Sequence, residues 1–493
     1  MRDFYSWCQL SDLNQRPSDY KSDALPAELN WQREQIIYFL FDNFKQKIII
    51  HTNLYGNIMN MKKLPELLAP AGTYDAFKTA VLYGADAIYA GLPGFSMRAR
   101  AKIDVDGVRA GIEFAHAHGK KVYLAFNLFA HDRDFQNMPR VREIIEYLRP
   151  DALIVADAGV MTWVRENFPD MPIHISTQAN ICSAASVKFW KSAGASLCVL
   201  AREVSHSEFC SIRQQCSDIK LEIFVHGAMC MAYSGRCLLS NYITGRPSNR
   251  GACAQLCRWK YDVILREKES GVEMPIDEDE HGAYILNSKD LCLMPRIAEV
   301  LSSNPDSLKI EGRNRSEYYV GSVVRAYRNA MDAWARDPAH FDPSQFMADL
   351  DVLETRGYTT AFFDGGLPAT AHNFDTTKSD SAYHAAGVVT GMSNEVGGGN
   401  NSTPLGRGTN EVGGGGYIIL ELRNEIRAGD EITFLLPRDK FTIKLDKIIN
   451  AKNGEILPKM SAGQNNACLI PCAIIPPQYL PQMQEYILAY KHK

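Results

Sequence analysis

Long apolar runs are missing from this chain. No stretch reaches the roughly 18 uninterrupted apolar residues that a membrane helix needs. The apolar pieces at 36–41 and 48–50 are short and broken by charge. The opening Met1-Arg2-Asp3-Phe4 lacks the basic-then-apolar order of a secretory leader. The reading is a cytoplasmic protein with no membrane partner. An excess of one charge is also missing. With 53 basic and 57 acidic residues the net charge is −4, which excludes a uniformly basic nucleic-acid coat but not a local basic field. Neither an H-E-x-x-H nor a G-x-S-x-G signature occurs, so the usual zinc-protease and serine-hydrolase sites are absent. In a reducing compartment the 12 cysteines do not read as a disulfide framework. Seven are scattered, whereas five fall between Cys230 and Cys292.

What is present is a long alternation of two periods. Residues 1–60 stand apart, polar and aromatic without periodicity. The phrase from Asp12-Leu13-Asn14-Gln15-Arg16-Pro17-Ser18 onward resembles spurious translation across tRNA genes, so the expected natural start is Met61. From Leu64, short apolar runs alternate with helical spacing. Strands are expected at 67–72, 85–91, 122–127, 152–157, 173–178, 197–202, 221–226 and 307–311. Helices are expected at 74–83, 108–118, 139–148, 160–167, 184–193, 205–215, 295–302 and 317–335. Eight such units predict an α/β fold, a TIM-type (β/α)8 barrel over 61–342. An open doubly wound sheet is the alternative that pattern alone leaves standing. A cysteine-rich insertion at about 227–292 interrupts the seventh unit and carries the acidic run 277–280, read as a solvated loop. Residues 343–382 read as a linker with a short helix ending near Gly357. Residues 383–493 read as a small all-β barrel, with strands at 385–390, 417–422, 431–436, 441–446 and 468–475. Its Gly-rich segment 394–416 repeats Asn-Glu-Val-Gly-Gly-Gly and reads as a flexible loop.

The cysteines are spaced C-x6-C-x15-C-x3-C at Cys230, Cys237, Cys253 and Cys257, with Cys292 after 34 further residues. Thiolates are soft anionic ligands for zinc or iron–sulfur clusters. Gly227, Gly235 and Gly251 lie beside them and would let backbone N–H groups approach sulfur, and Arg236 and Arg258 would offset negative charge. On spacing alone, structural zinc and an iron–sulfur cluster stand equal, with buried free thiols as the remaining reading. Cys182, Cys198, Cys210 and Cys216 read as core thiols, and Cys468 and Cys472 as packing residues of the β domain.

The run Glu222 through Ser240 resembles, at each defined position, the signature of the collagenase-like "U" peptidase family. Ala69-Pro70-Ala71-Gly72 and Lys309-Ile310-Glu311-Gly312-Arg313 extend the likeness, which covers residues 61–446. Within the family the chain is most similar to the tRNA wobble-uridine hydroxylation proteins, through Gly251-Ala252-Cys253, Arg258-Trp259-Lys260-Tyr261 and the β-barrel tail. The resemblance implies a 4Fe–4S cluster and oxygen-independent conversion of uridine to 5-hydroxyuridine, with prephenate supplying the hydroxyl. It implies tRNA as partner and leaves room for a paralogous partner subunit. Cys230, Cys237 and Cys253 are the firm ligands it implies. Cys257 is the expected fourth and Cys292 its alternative.

In such barrels chemistry sits at the strand C-termini. Those ends offer Arg98, Arg100, Arg202 and Arg313 as candidates for an anionic co-substrate, since guanidinium forks match carboxylates. Glu203, His226, Lys309 and Glu311 are the catalytic candidates, able to move protons. Each has a structural alternative: Glu311 could pair with Arg313 or Lys309, and His226 could be a satisfied barrel histidine. Asn127, Asp157, Thr177, Gln178 and Asn180 complete the polar ring. Arg246, Arg250, Arg258 and Lys260 among Tyr242, Trp259 and Tyr261 could hold RNA. The alternatives are a peptidase using Cys230 with His226, a zinc-stabilised RNA binder, or a hydroxylase acting on rRNA or a quinone precursor.

Overall fold

The computed structural model describes residues 64–96, 103–229, 237, 239–246, 253–256, 264–266, 273–275, 289–366, 381–393, 416–463 and 466–493. The expectations for residues 1–60, the acidic run and the Gly-rich repeats lie outside these residues.

The predicted alternation is present. It runs β1 Glu66–Pro70, α1 Tyr74–Leu82, β2 Ala87–Gly91, α2 Val105–Ala117, β3 Lys121–Phe126, α3 Met138–Leu148 and β4 Ala152–Val155. It continues with α4 Ala158–Asn167, β5 Ile173–Ile175, α5 Ala184–Ser192, β6 Leu197–Val199, α6 His206–Gln215 and β7 Lys220–Ala228. After the insertion, which holds α7 Leu239–Thr244, come β8 Asp290–Cys292, α8 Ile297–Ser302, β9 Ser307–Ile310 and α9 Glu317–Arg336. Strands β1 to β7 pair in parallel in chain order, and β9 pairs with both β1 and β7. The sheet is therefore a closed eight-stranded barrel, and the open-sheet alternative falls. The strands are buried on both faces, as parallel strands under helices must be.

Local chemistry sets the helix starts. Thr73, Asp104, Asp157, Ser183, Ser205 and Ser316 each accept a backbone N–H of the first helical turn. Asp157, expected in the polar ring, is thus occupied in capping α4. Two glycines are fixed by close approach. Gly227 has φ +117° and a Cβ there would overlap the carbonyl of Glu311; a Cβ on Gly72 would overlap the carbonyl of Arg313. Both bring backbone against the end of β9.

Residues 343–366 differ from expectation. The helix is a 3₁₀ segment, Pro343–Asp349, started by Pro343 behind the Asp342 cap, and it ends well before Gly357. Leu350, Val352, Leu353, Ala361 and Phe363 then join the barrel core, and β10 Tyr358–Thr359 adds to β8.

The C-terminal region is an antiparallel sheet of β11 Tyr383–Ser393, β12 Tyr417–Leu422, β13 Glu431–Leu435, β14 Lys440–Lys444, β15 Ile448–Asn450, β16 Ile456–Leu457, β17 Ala467–Pro471 and β18 Leu488–His492. Its order is β14-β13-β18-β11-β12-β17-β15-β16. Three of these strands, β15, β16 and β18, were not expected, and β17 stops at Pro471 where a 3₁₀ turn over Cys472–Ile474 begins. Cys468 and Cys472 are buried in its core, as expected.

The sheet is pinned to the barrel by buried polar bonds. The hydroxyl of Tyr83 donates to the carbonyl of Leu435 at 2.7 Å and accepts from the N–H of Leu488 at 2.9 Å. Arg325 donates to the Leu436 carbonyl and pairs with Asp349, which also takes Lys440 at 3.0 Å. Removing one hydroxyl at Tyr83 leaves two buried backbone groups unpaired. Tyr83→Phe is expected to destabilise the chain by roughly 1–3 kcal/mol, read as a lowered denaturation midpoint; an unchanged midpoint would refute the role given to this bond.

Candidate active site

The barrel interior is more polar than the sequence suggested. Side chains alternate across a strand, which turns Glu66 of β1, Tyr123 of β3, His174 of β5 and Glu222 of β7 toward one another. Tyr123 donates to both carboxylate oxygens of Glu66, at 2.9 and 3.0 Å, and packs edge-on against His174 with ring centroids 4.6 Å apart. Glu222, 1% exposed, accepts from Lys309 Nζ at 2.7 Å and from Ser307 Oγ at 2.8 Å. Burial raises the Glu66 carboxyl above its ordinary range, with nearby Glu222 adding to the effect. Burial, reinforced by the Lys309 charge, pushes His174 down to about 3.

Above this layer the last strand and its extension deliver three charged side chains to one aromatic ring. Lys309 Nζ lies 4.5 Å from the centroid of Tyr89, and Arg313 Cζ lies 5.8 Å from it. The Tyr89 hydroxyl donates to the carbonyl of Ile310 at 3.0 Å and to Glu311 Oε2 at 3.4 Å. Glu311 Oε2 also faces Arg202 Nη2 at 3.5 Å, and Arg202 packs over Phe224 at 4.0 Å. The buried ion pairs are therefore Lys309–Glu222 and Arg202–Glu311, not the Glu311 pairings weighed from sequence. Glu203 follows at the rim, half-buried, with its carboxyl raised by burial against the opposing effect of Arg202.

Other candidates have separate roles. His226 is enclosed by the rings of Tyr319, Tyr327 and Tyr358 at 6.0, 5.7 and 5.4 Å. Burial pushes it down to about 4, and its Nδ1 has no hydrogen-bond partner, so it is a neutral imidazole in an aromatic cage. Gln178 accepts from Ser176, and Thr177 donates to the Leu200 carbonyl. Arg98 and Arg100 lie outside the described residues.

Strand β7 is nine residues long and outruns the barrel. Its end pairs with β8, Asp290 to Cys292 opposite Ala228 to His226, so the insertion leaves and returns at the mouth. Within the insertion Cys237 is half-buried and Cys253 exposed. The Gln255 N–H donates to Cys253 Sγ at 3.4 Å, with Gln255 at φ +57°, and the Ala254 N–H donates to Ser240 Oγ at 2.9 Å, tying the Cys253 loop to α7. A backbone donor on sulfur suits a thiolate ligand. Cys292 is different: buried, 3.9 Å from the Tyr327 hydroxyl, with its thiol pushed up to about 11 by burial. Cys230 and Cys257 lie outside the described residues. Among the described residues no three His, Cys, Asp or Glu side chains form a metal-sized group. Cys198 and Cys216 are core thiols as expected, but Cys182 and Cys210 are exposed, Cys182 in the loop before α5 and Cys210 on α6.

Sequence reasoning missed Glu66, Tyr89, Tyr123, His174 and Glu222. A charged or titratable residue inside a run that must be buried on both faces was the available signal.

A closed parallel barrel with a cysteine-bearing arm between its last two barrel strands defines the class, and the chain belongs to peptidase family U32, whose match spans residues 72–373. Over most of its length it is similar to two proteins named tRNA hydroxylation protein P. The one from Escherichia coli is 37% identical over 435 residues, covering 80% of this chain and 91% of that protein. The one from Haemophilus influenzae is 36% identical over 433 residues, covering 79% and 89%. A protein named collagenase from Porphyromonas gingivalis is 34% identical over 313 residues, covering 61% and 73%. No helix among the described residues is long and apolar enough to cross a membrane.

The depressed His174 has a consequence for stability. Its folded value, about 3, lies below the ordinary 6.5, so the unfolded chain binds the proton first. The stability contributed by neutral His174 is complete above pH 6.5 and is lost as pH falls toward 3. Glu66 acts in the opposite sense, so a difference isolates the histidine. The loss of melting temperature from pH 7 to about pH 5 is expected to be smaller in His174→Gln than in the parent; equal losses would contradict the burial of a neutral ring.

Proposed function

We propose that this protein hydroxylates a wobble uridine of tRNA to 5-hydroxyuridine, without molecular oxygen and with prephenate as the hydroxyl source. We also infer a 4Fe–4S cluster held by Cys230, Cys237, Cys253 and Cys257. The observation that carries the reading is the similarity, over four fifths of the chain, to proteins named for tRNA hydroxylation. The backbone donor on Cys253 and the bond joining its loop to α7 support a thiolate cluster in the arm at the barrel mouth. Cys292, sealed against Tyr327, fits less well as the fourth ligand than Cys257. Such a cluster supplies one-electron chemistry or an electrophilic iron when bound.

The chain's own residues have definable tasks. Arg202 and Arg313 are the described cations that an anionic co-substrate would meet; Arg98 and Arg100, the other two arginines proposed from the sequence, lie outside the described residues. Lys309 is already neutralised by Glu222. A bound carboxylate would draw Arg202 from Glu311 and leave that carboxylate free to take a proton. For RNA, α7 presents Tyr242 at 88% exposure, and Arg246 follows two residues past the end of the helix at Thr244, beyond Gly245 at φ +65°. An exposed ring with a guanidinium close in sequence suits base stacking with a phosphate contact. Tyr242→Ala is expected to weaken tRNA binding about tenfold in a filter-binding assay; unchanged affinity would remove α7 from the interface.

The peptidase reading has the relative named collagenase in its favour. Against it, His226 lies in its tyrosine cage, and the Cys210–His206 contact at 3.6 Å sits on an exposed face of α6. Deleting the gene and measuring tRNA nucleosides by mass spectrometry decides between them. 5-Hydroxyuridine should vanish and return with the parent gene but not with Cys237→Ala, and anaerobically prepared Cys253→Ala should lose its iron and sulfide. Unchanged 5-hydroxyuridine would sink the hydroxylase reading.

A further inference from the structure

Tyr89 is the point where the polar interior and the mouth meet. Lys309, Glu311 and Arg313 stand at alternate positions of β9 and its extension, and all three reach this one side chain of β2. Tyr89 itself is 3% exposed and belongs to the inner packing cluster with Leu68, Tyr123 and Ile154, so its ring cannot swing away. Its single O–H proton is shared between the Ile310 carbonyl at 3.0 Å and Glu311 Oε2 at 3.4 Å. Below it, Glu222 holds Lys309 at 2.7 Å. Above it, Glu311 faces Arg202. The ring thus stands beside a closed ion pair on one side and an exchangeable one on the other.

We propose that Tyr89 is a positioning residue for the hydroxylation. Its hydroxyl fixes the Glu311 carboxylate in the rotamer that faces Arg202, so that the carboxylate stays in place when an anionic co-substrate takes Arg202. Its ring keeps Lys309 on Glu222 and away from the incoming anion. Tyr89 acts through Glu311 and Lys309 and touches no reacting atom in this account. A buried hydroxyl donating to a carboxylate limits side-chain freedom at little reorganisation cost, which is how a site keeps its geometry through turnover. The inference rests on the proposed hydroxylase reading.

The test uses anaerobically purified holoprotein, tRNA lacking 5-hydroxyuridine, and prephenate. Product is read by nucleoside mass spectrometry for the parent, Tyr89→Phe, Glu311→Gln and the double variant. Tyr89→Phe keeps the ring and removes the hydroxyl, so kcat should fall about tenfold, a loss of the size of one charge-assisted hydrogen bond. KM for tRNA should stay within about twofold, because a buried interior residue does not meet the RNA. In the Glu311→Gln background the same change should cost less than about threefold, since the acceptor it served is altered. Both variants leave the Ile310 carbonyl without the hydroxyl and should lose melting temperature, Tyr89→Leu more than Tyr89→Phe because it also removes the ring, so the kcat comparison between single and double variants carries the test. A Tyr89→Phe enzyme indistinguishable from the parent overturns the proposal. So does a full tenfold loss that persists in the Glu311→Gln background, which would mean that Tyr89 does not act through Glu311. A parent protein that forms no 5-hydroxyuridine overturns the hydroxylase reading and this inference with it.

Discussion

Strand β7 is flanked on both edges where it leaves the barrel, by β9 on one and β8 on the other. Its first half pairs with β9 and closes the barrel, and its last three residues pair with the antiparallel β8. The two pairings overlap at His226, which meets Ile310 of β9 and Cys292 of β8, just past the β9 register shift between Lys309 and Ile310. A bulge re-aims side chains, and here the residues beyond it, Glu311 to Arg313, are the ones that turn into the mouth. Gly227 makes the arrangement sterically feasible, because its positive φ lets β7 pass under the Glu311 carbonyl. The same strand extension is the root from which the cysteine arm departs and to which it returns. Closure, mouth chemistry and the placement of the thiols therefore share one backbone constraint.

Charge inside the barrel is handled by a division of labour. Glu222 and Lys309 neutralise each other where no solvent reaches, an arrangement that adds little net stability but is costly to break on one side only. Glu66 has a neutral donor, Tyr123, in place of a cation, which is consistent with a carboxyl that burial drives toward its protonated form. His174 stays uncharged beside them. The buried pair Arg202–Glu311 at the mouth is longer, at 3.5 Å, than the 2.7 Å of Lys309–Glu222.

Legibility in the sequence followed the physics of each feature. The barrel was readable because eight short apolar runs alternated with capped amphipathic helices, and the β domain because turn residues punctuated it. The 3₁₀ segment at Pro343–Asp349 was misread as a helix reaching Gly357, since apolar spacing there reflects docking of an irregular chain onto the core rather than helical turns. Strand β18 escaped notice because Leu488-Ala489-Tyr490 is brief and follows a proline-rich stretch. At the site, Arg202, Lys309, Glu311 and Arg313 were found because they end strands. Tyr89 and Glu222 were not, because a tyrosine in a strand normally means packing, and a mid-strand glutamate shows its purpose only once Lys309 is seen opposite.

The order of strands in the C-terminal sheet has a bearing on how the chain comes to be folded. Strand β18 lies at the middle of that sheet, between β11 and β13, although it is made after every other strand in it. Until residues 488–492 have been synthesised, β11 and β13 each present an open edge, and the partners of Tyr83 on the barrel are incomplete. Open edges are templates for pairing with other chains. The growing polypeptide thus carries a finished barrel beside an unfinished sheet, and the closing of that sheet and its locking to the barrel come in one late step.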